Sequence, residues 1–198
     1  MQLQSQKRSL VLASTSPYRK LLLERLGIPF EVHSPQIDET AQPGETPARL
    51  VRRLAAEKAE AVSRRLPAAV VIGSDQLALH DGGVVGKPGT AARARRQLAS
   101  FSGSRVDFLS AISVRCADTG FQFDNTVTTE VRFRSLSESE IRRYVARDNP
   151  VDCAGGFKSE ATGTALLQAM RSDDPTAIIG LPLICLAEAL RQAGFDLP

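Results

Sequence analysis

The sequence predicts an α/β fold, and three observations predict it. Short apolar runs bounded by turn residues, Leu10–Ala13 and Ala68–Ile72, read as buried strands. Helical stretches with recognisable caps follow them. Two long strand-like segments, Arg105–Ala117 and Phe121–Phe133, flank the hairpin turn Asp118-Thr119-Gly120.

Taken in order, Leu10-Val11-Leu12-Ala13 leads through Ser14-Thr15-Ser16 into Pro17-Tyr18-Arg19-Lys20. Ser16 suits an N-cap and Pro17 the first helical position, so a helix should run to Leu26 with Gly27 closing it. Free N–H groups, the positive end of the helix dipole, three hydroxyls and the cations Arg19 and Lys20 would meet a phosphate there. The plainer alternative is an ordinary strand-to-helix turn with solvated basic residues.

Ile28–Val32 is a second short strand, and a polar stretch follows through Asp38-Glu39-Thr40 to Gly44. Thr46-Pro47 then starts a helix reaching about Arg65. On it Val51, Leu54, Ala55 and Val62 form an apolar stripe with Lys58 at its centre. Either the lysine stem snorkels past Ala55 and Ala59, or its ammonium turns into a cleft to hold phosphate. The strand Ala68–Ile72 ends at Gly73-Ser74-Asp75-Gln76, which puts Asp75 at the carboxyl end of a central strand. Open α/β sheets place ligand sites there, although structural aspartates cap loops at the same position.

Gly86 and Pro88 fix the backbone around Lys87, and Thr90 caps a helix ending near Ser100. Ser137-Glu138-Ser139-Glu140 is a capping box before a helix reaching Arg147. From Asn149 to Glu160 small residues precede Lys158 and Glu160, a loop able to approach a ligand closely. Thr164–Met170 reads as a strand, Asp173-Asp174-Pro175 as a turn, and Gly180-Leu181-Pro182 as the start of a last helix ending at Gly194.

Composition narrows the function. At 198 residues the chain can build one sizeable core, or two lobes sharing a sheet, and residues 1–198 are expected to form a single domain. Hydrophobic residues at 42% and charged residues at 24% point away from disorder. No apolar run approaches the roughly 20 residues of a membrane span, so a cytoplasmic protein with no membrane partner is expected. Cys116, Cys153 and Cys185 are widely spaced and suggest reduced, mostly buried thiols rather than disulfides or zinc. With only His33 and His80, acid–base chemistry falls to carboxylates and lysines. The net charge of +3 is spread over several helices among 22 acidic residues, which favours a polyanionic small molecule over nucleic acid.

Several motifs together resemble the Maf-like nucleotide pyrophosphatases: Leu12 to Lys20, Asp38-Glu39, Glu57-Lys58-Ala59, Gly73-Ser74-Asp75-Gln76, Gly86-Lys87-Pro88 and Gly180-Leu181-Pro182. They run in order along nearly the whole chain. The resemblance implies an elongated α/β fold related to the ITPase-like proteins. Its mixed sheet would carry flanking helices, with two lobes around a central cleft, often in a homodimer. It further implies hydrolysis of a nucleoside triphosphate to monophosphate and pyrophosphate with a divalent cation, Mg²⁺ or Mn²⁺. Asp75 matches the family's proton acceptor; Glu39 and Asp75 would hold the metal, and Ser14, Arg19, Lys20, Lys58 and Lys87 the phosphates.

Gln76 and the Cys153–Glu160 segment look like the branch acting on 7-methyl-GTP, with Tyr18, Gln76 and Glu160 facing a base that carries positive charge. Two positions depart from that branch: Tyr18 stands where tryptophan is common, and Gly156 where serine is usual. The alternatives are a dTTP- or UTP-type pyrophosphatase of the same family, a non-catalytic nucleotide-binding regulator of cell division, and a nucleic-acid module.

Overall fold

A computed structural model describes residues 8–198. Its elements follow the sequence signals closely. The first strand, β1 (Leu10–Ala13), is wholly buried, and α1 (Pro17–Glu24) is capped by the Ser16 side chain, which accepts from the Arg19 N–H. Gly27 closes the turn after it with φ +66°, a backbone conformation that suits glycine. β2 (Phe30–His33) pairs parallel with β1. Thr46 caps α2 (Pro47–Ser63) as the sequence indicates.

The third strand differs from expectation. β3 runs unbroken from Val70 to His80, so Asp75 lies within a long strand and not at its carboxyl end. Parallel pairing with β1 holds its first half, from Leu10↔Val70 to Ala13↔Gly73, and antiparallel pairing with the short β4 (Gly83–Val85) holds its last residues. Ladder bonds on both halves satisfy backbone groups that a turn at Gly73-Ser74 would have left open.

After β4 come α3 (Ala91–Phe101), β5 (Arg105–Cys116), β6 (Phe121–Phe133), α4 (Glu138–Asp148), β7 (Leu167–Arg171) and α5 (Leu183–Gln192). β5 and β6 are neighbours joined by the turn 117–120, as expected of a hairpin. The capping box forms: the Ser137 side chain accepts from Glu140 N–H while the Glu140 carboxylate accepts from Ser137 N–H. Thr162–Leu166 is 3₁₀-helical, so the strand expected from Thr164 begins only at Leu167. The mixed sheet has the order β2-β1-β3-β5-β6-β7, with β4 on β3.

The chain divides into two compact units. Of the described residues, one comprises 8–75, 111–126 and 180–198, and the other 76–110 and 127–179. In the first, Val11, Ala13, Ala59, Val62, Ala69 and Val71 pack α2 onto β1 and β3. The second is built around Phe101, Phe108, Phe133 and Phe157, with the Phe133 and Phe157 rings edge to face at 5.5 Å. Burial of each such side chain stabilises the fold by about 1.5–3 kcal/mol. Of the three thiols only Cys116 is buried, Cys153 and Cys185 being half-buried, and none forms a disulfide. Among the described residues no helix is long and apolar enough to cross a membrane.

Candidate active site

Small residues bring α2 against β3. A Cβ placed on Gly73 would stand 2.2 Å from the Ala55 carbonyl oxygen and 2.6 Å from the Ala59 nitrogen, so only glycine permits this approach. Lys58, between those alanines, is thereby delivered beside Asp75, two residues along β3 from Gly73. Its ammonium lies 2.7 Å from Asp75 Oδ1 and 2.7 Å from Glu39 Oε1. The Lys58 side chain is 6% exposed and that of Asp75 9%, whereas Glu39 is 60% exposed. The sequence left two readings of this lysine, and its ammonium is buried among carboxylates rather than snorkelling to solvent.

Arg19 belongs to the same charged group. Burial pushes its guanidinium down from the ordinary value, while the nearby carboxylates of Asp75 and Glu39 pull it up. Its Nε donates to the Gly180 carbonyl at 3.0 Å and its Nη1 to Ser14 Oγ at 3.5 Å. Ser74 Oγ donates to the same Gly180 carbonyl at 2.9 Å. Ser14 is buried at the β1–α1 turn, where its Oγ also accepts from Ser16 N–H at 3.1 Å. Ser14, Arg19, Glu39, Lys58 and Asp75 thus come from four separate stretches of sequence into one unit.

Not every expected residue joins them. Lys20 is exposed on α1 and lies 4.0 Å from Glu24, one helical turn on. Tyr18 is half-buried on the same helix. Lys87, Gln76 and Glu160 belong to the second unit, where Lys87 and Glu160 are exposed. The turn that carries Lys87 is held by a bond from Gln97 Nε2 to the Gly86 carbonyl at 3.0 Å and from Gly89 N–H to the Val151 carbonyl at 2.8 Å. Lys158 Nζ donates to the Asp148 carbonyl at 2.9 Å, at the end of α4.

Gln76 has a role that its sequence position did not reveal. Its Nε2 lies 2.9 Å from Ser110 Oγ, 2.9 Å from the Ala177 carbonyl and 3.0 Å from the Ile178 carbonyl. Backbone carbonyls only accept, so the amide nitrogen faces this segment and Oε1 is the atom left for a ligand. Sequence reasoning also missed Arg53, which binds Glu45, Glu57 and the Thr40 carbonyl beside Glu39. The only signal for it was the Arg53–Glu57 spacing of one helical turn.

The arrangement offers two carboxylates with an ammonium and a guanidinium, and no histidine among them. Among the described residues no group of three or more His, Cys, Asp or Glu side chains could hold a metal ion. A pair of carboxylates with phosphate oxygens and water is nevertheless a donor set that hard divalent cations accept.

A protein named 7-methyl-GTP pyrophosphatase from Aromatoleum aromaticum is 53% identical over 189 residues, covering 96% of this chain and 97% of that protein. Proteins of the same name from Xanthomonas campestris pv. campestris strain 8004 and Polaromonas sp. strain JS666 are 52% and 51% identical, each over 96% of this chain and over 98% and 87% of theirs. Among solved structures, the Staphylococcus aureus Ham1 protein matches with a TM-score of 0.51 and 14% identity, over 93% of this chain and 100% of that one, a likeness of fold alone. The family model described as Maf-like protein matches residues 9–193, from just before β1 to just after α5, and the chain belongs to that family.

Proposed function

We propose that this protein hydrolyses a nucleoside triphosphate to its monophosphate and pyrophosphate, with 7-methyl-GTP as the preferred substrate. The observation that carries the reaction class is the buried Lys58 ammonium between Asp75 and Glu39, with Arg19 close enough to feel both carboxylates. A cation-rich group with an enclosed carboxylate fits phosphoanhydride chemistry. The substrate preference draws support from the names of relatives that are about half identical over nearly the whole chain.

Within this reading Asp75 accepts the proton of a water that attacks the α-phosphorus. The bond from the α-phosphorus to the bridging oxygen breaks, and pyrophosphate leaves with that oxygen. Arg19 and Lys58 offset the charge that develops on the phosphates, and Ser14 orients Arg19. Lys20 on the first unit and Lys87 on the second, both exposed, are assigned to phosphate contacts on the family resemblance. Glu39 and Asp75 would hold the divalent cation, since their oxygens already converge on one positive charge at 2.7 Å. Such a cation would supply a more acidic water and screen the phosphate oxygens.

Base selection falls to Tyr18, Gln76 and Glu160. An N7-methylated guanine carries positive charge, so a tyrosine face and a carboxylate both favour it over guanine. Gln76 contributes an acceptor, Oε1, and would therefore read a donor on the base edge.

The test is a set of nucleoside triphosphates, methylated and unmethylated, assayed for pyrophosphate release with Mg²⁺, Mn²⁺ or chelator. Asp75→Asn should remove turnover on all of them. kcat/KM should favour 7-methyl-GTP over GTP, with dTTP and UTP poor, and Glu160→Ala should narrow the first gap. Release of orthophosphate instead of pyrophosphate would refute the reaction class. Equal use of GTP and 7-methyl-GTP would refute the base reading alone.

A further inference from the structure

Glu39 sits on a stretch, residues 34–46, that has no regular structure apart from a turn at 43–44. An exposed carboxylate on such a loop would sample many positions, yet its Oε1 lies 2.7 Å from Lys58 Nζ. Four hydrogen bonds from one residue account for the placement. Arg53 Nη2 donates to the carbonyl of Thr40, the residue after Glu39, at 3.0 Å. The same guanidinium grips Glu45 at the far end of the loop through Nε to Oε1 at 2.7 Å and Nη2 to Oε2 at 2.8 Å. Its Nη1 is braced on Glu57, one helical turn along α2, at 3.0 Å.

The loop in turn folds onto these anchors. Glu45 Oε2 accepts from Gln42 N–H at 3.0 Å, and Asp38 Oδ1 accepts from Thr40 N–H at 2.9 Å. The Arg53 side chain is 18% exposed and that of Glu45 only 7%, so the fork is largely shielded from water, where a bidentate pair holds its geometry best. Arg53 and Lys58 lie on the same helix, so α2 fixes both the ammonium and the loop that brings Glu39 to it.

We propose that Arg53 is a positioning residue for catalysis: it clamps the 38–45 loop so that Glu39 reaches Lys58 and the cation place beside Asp75. It touches no reacting atom. The proposal rests on the role given above to Glu39, and a double-mutant cycle separates the two. Glu39→Gln, Arg53→Met and the pair are compared for kcat, KM and, in the nucleotide-free protein, Mn²⁺ affinity by electron paramagnetic resonance titration.

Arg53→Met should lower kcat about 10- to 100-fold, the scale of a misplaced catalytic group, with a smaller change in KM. It should weaken Mn²⁺ binding to the free protein as Glu39→Gln does. In the Glu39→Gln background Arg53→Met should add less than about a further 2-fold, because both changes act through one carboxylate. Arg53→Lys should not restore kcat, since an ammonium cannot span Glu45 and the Thr40 carbonyl as a fork does.

Should Arg53→Met fail to fold because Glu45 is left buried and charged, Arg53→Met with Glu45→Met removes both partners and carries the same expectations. Additive losses in the cycle, or wild-type kcat and Mn²⁺ affinity in Arg53→Met, would overturn the proposal while leaving Glu39 in place. If Glu39→Gln alone changes neither quantity, the role of Glu39 falls and the proposal falls with it.

Discussion

Replacing Lys58 by methionine keeps the length of the stem and deletes the charge, leaving Asp75 and Glu39 without the ammonium between them. At 2.7 Å and an effective dielectric constant of about 20, each carboxylate attracts that ammonium by roughly 6 kcal/mol before desolvation is counted. Desolvation takes back most of this, and removing one partner of a buried pair typically costs about 3–5 kcal/mol. For a chain of this length 1 kcal/mol shifts Tm by about 2–4 °C, so Lys58→Met should melt roughly 6–20 °C below the parent in chelator. Asp75→Asn should lose much less, because Lys58 keeps Glu39 and an amide oxygen still accepts its proton. Differential scanning calorimetry of the parent, both variants and their combination reads this directly. Mg²⁺ should raise the Tm of Lys58→Met more than that of the parent, since its two carboxylates are no longer neutralised. Turnover of Lys58→Met should fall about 30- to 1,000-fold, the loss of one transition-state charge contact. A Tm within a degree of the parent, with no response to Mg²⁺, would refute the buried ammonium and leave only a solvated lysine.

Gly73→Ala should destabilise by about 1–3 kcal/mol and reduce turnover together, because its methyl would displace the α2 backbone at Ala55 and Ala59 and draw Lys58 from Asp75; a parent-like Tm would show that α2 does not pack so closely. Acid should expose the paired carboxylates. Ser137 N–H first, then the Ser137 hydroxyl and Arg134, hold Glu140 down to about 2, and Arg53 first, then Gln42 N–H, does the same for Glu45. Their folded values lie below the unfolded ones near 4.3, so their contribution is present above about pH 4.3 and fades as pH falls towards 2. The Tm gap between the parent and Glu140→Gln should accordingly be widest near pH 6 and shrink from about pH 4 towards pH 2, and a gap independent of pH would refute the assignment.

What the sequence made legible was local. The caps Ser16, Thr46, Thr90 and Ser137 each mark a helix start within one residue because a cap is satisfied by atoms two or three positions away. β3 was misread for the opposite reason. Gly73-Ser74 looks like punctuation, yet the strand continues because β1 and β4 pair with it from elsewhere in the chain. Gly73 is there to admit a helix backbone, which no window of sequence displays. Lys58 stood out as a cation on an apolar stripe, but its two partners lie on other elements. Arg19 and Lys20 looked equivalent, whereas adjacent helix positions point about 100° apart. One meets the Gly180 carbonyl and the other Glu24.

The two supports of the site differ in kind, which makes them separable. Lys58 reaches Asp75 through packing: Ala55, Ala59 and Gly73 set the distance between α2 and β3 in the middle of a close-packed layer. Any change there moves stability and turnover together, because the same contacts hold the core and place the ammonium. Glu39 reaches Lys58 through polar bonds from Arg53 to a loop that contributes little to that core. Loosening those bonds should therefore lower turnover and cation affinity more than Tm. A plot of turnover against Tm over variants of both supports should fall on two lines: steep in turnover for the loop, and sloped in both for the helix–strand contact. A single line through all variants would mean that the loop and the packed layer unfold as one, and that Glu39 is held by the core after all.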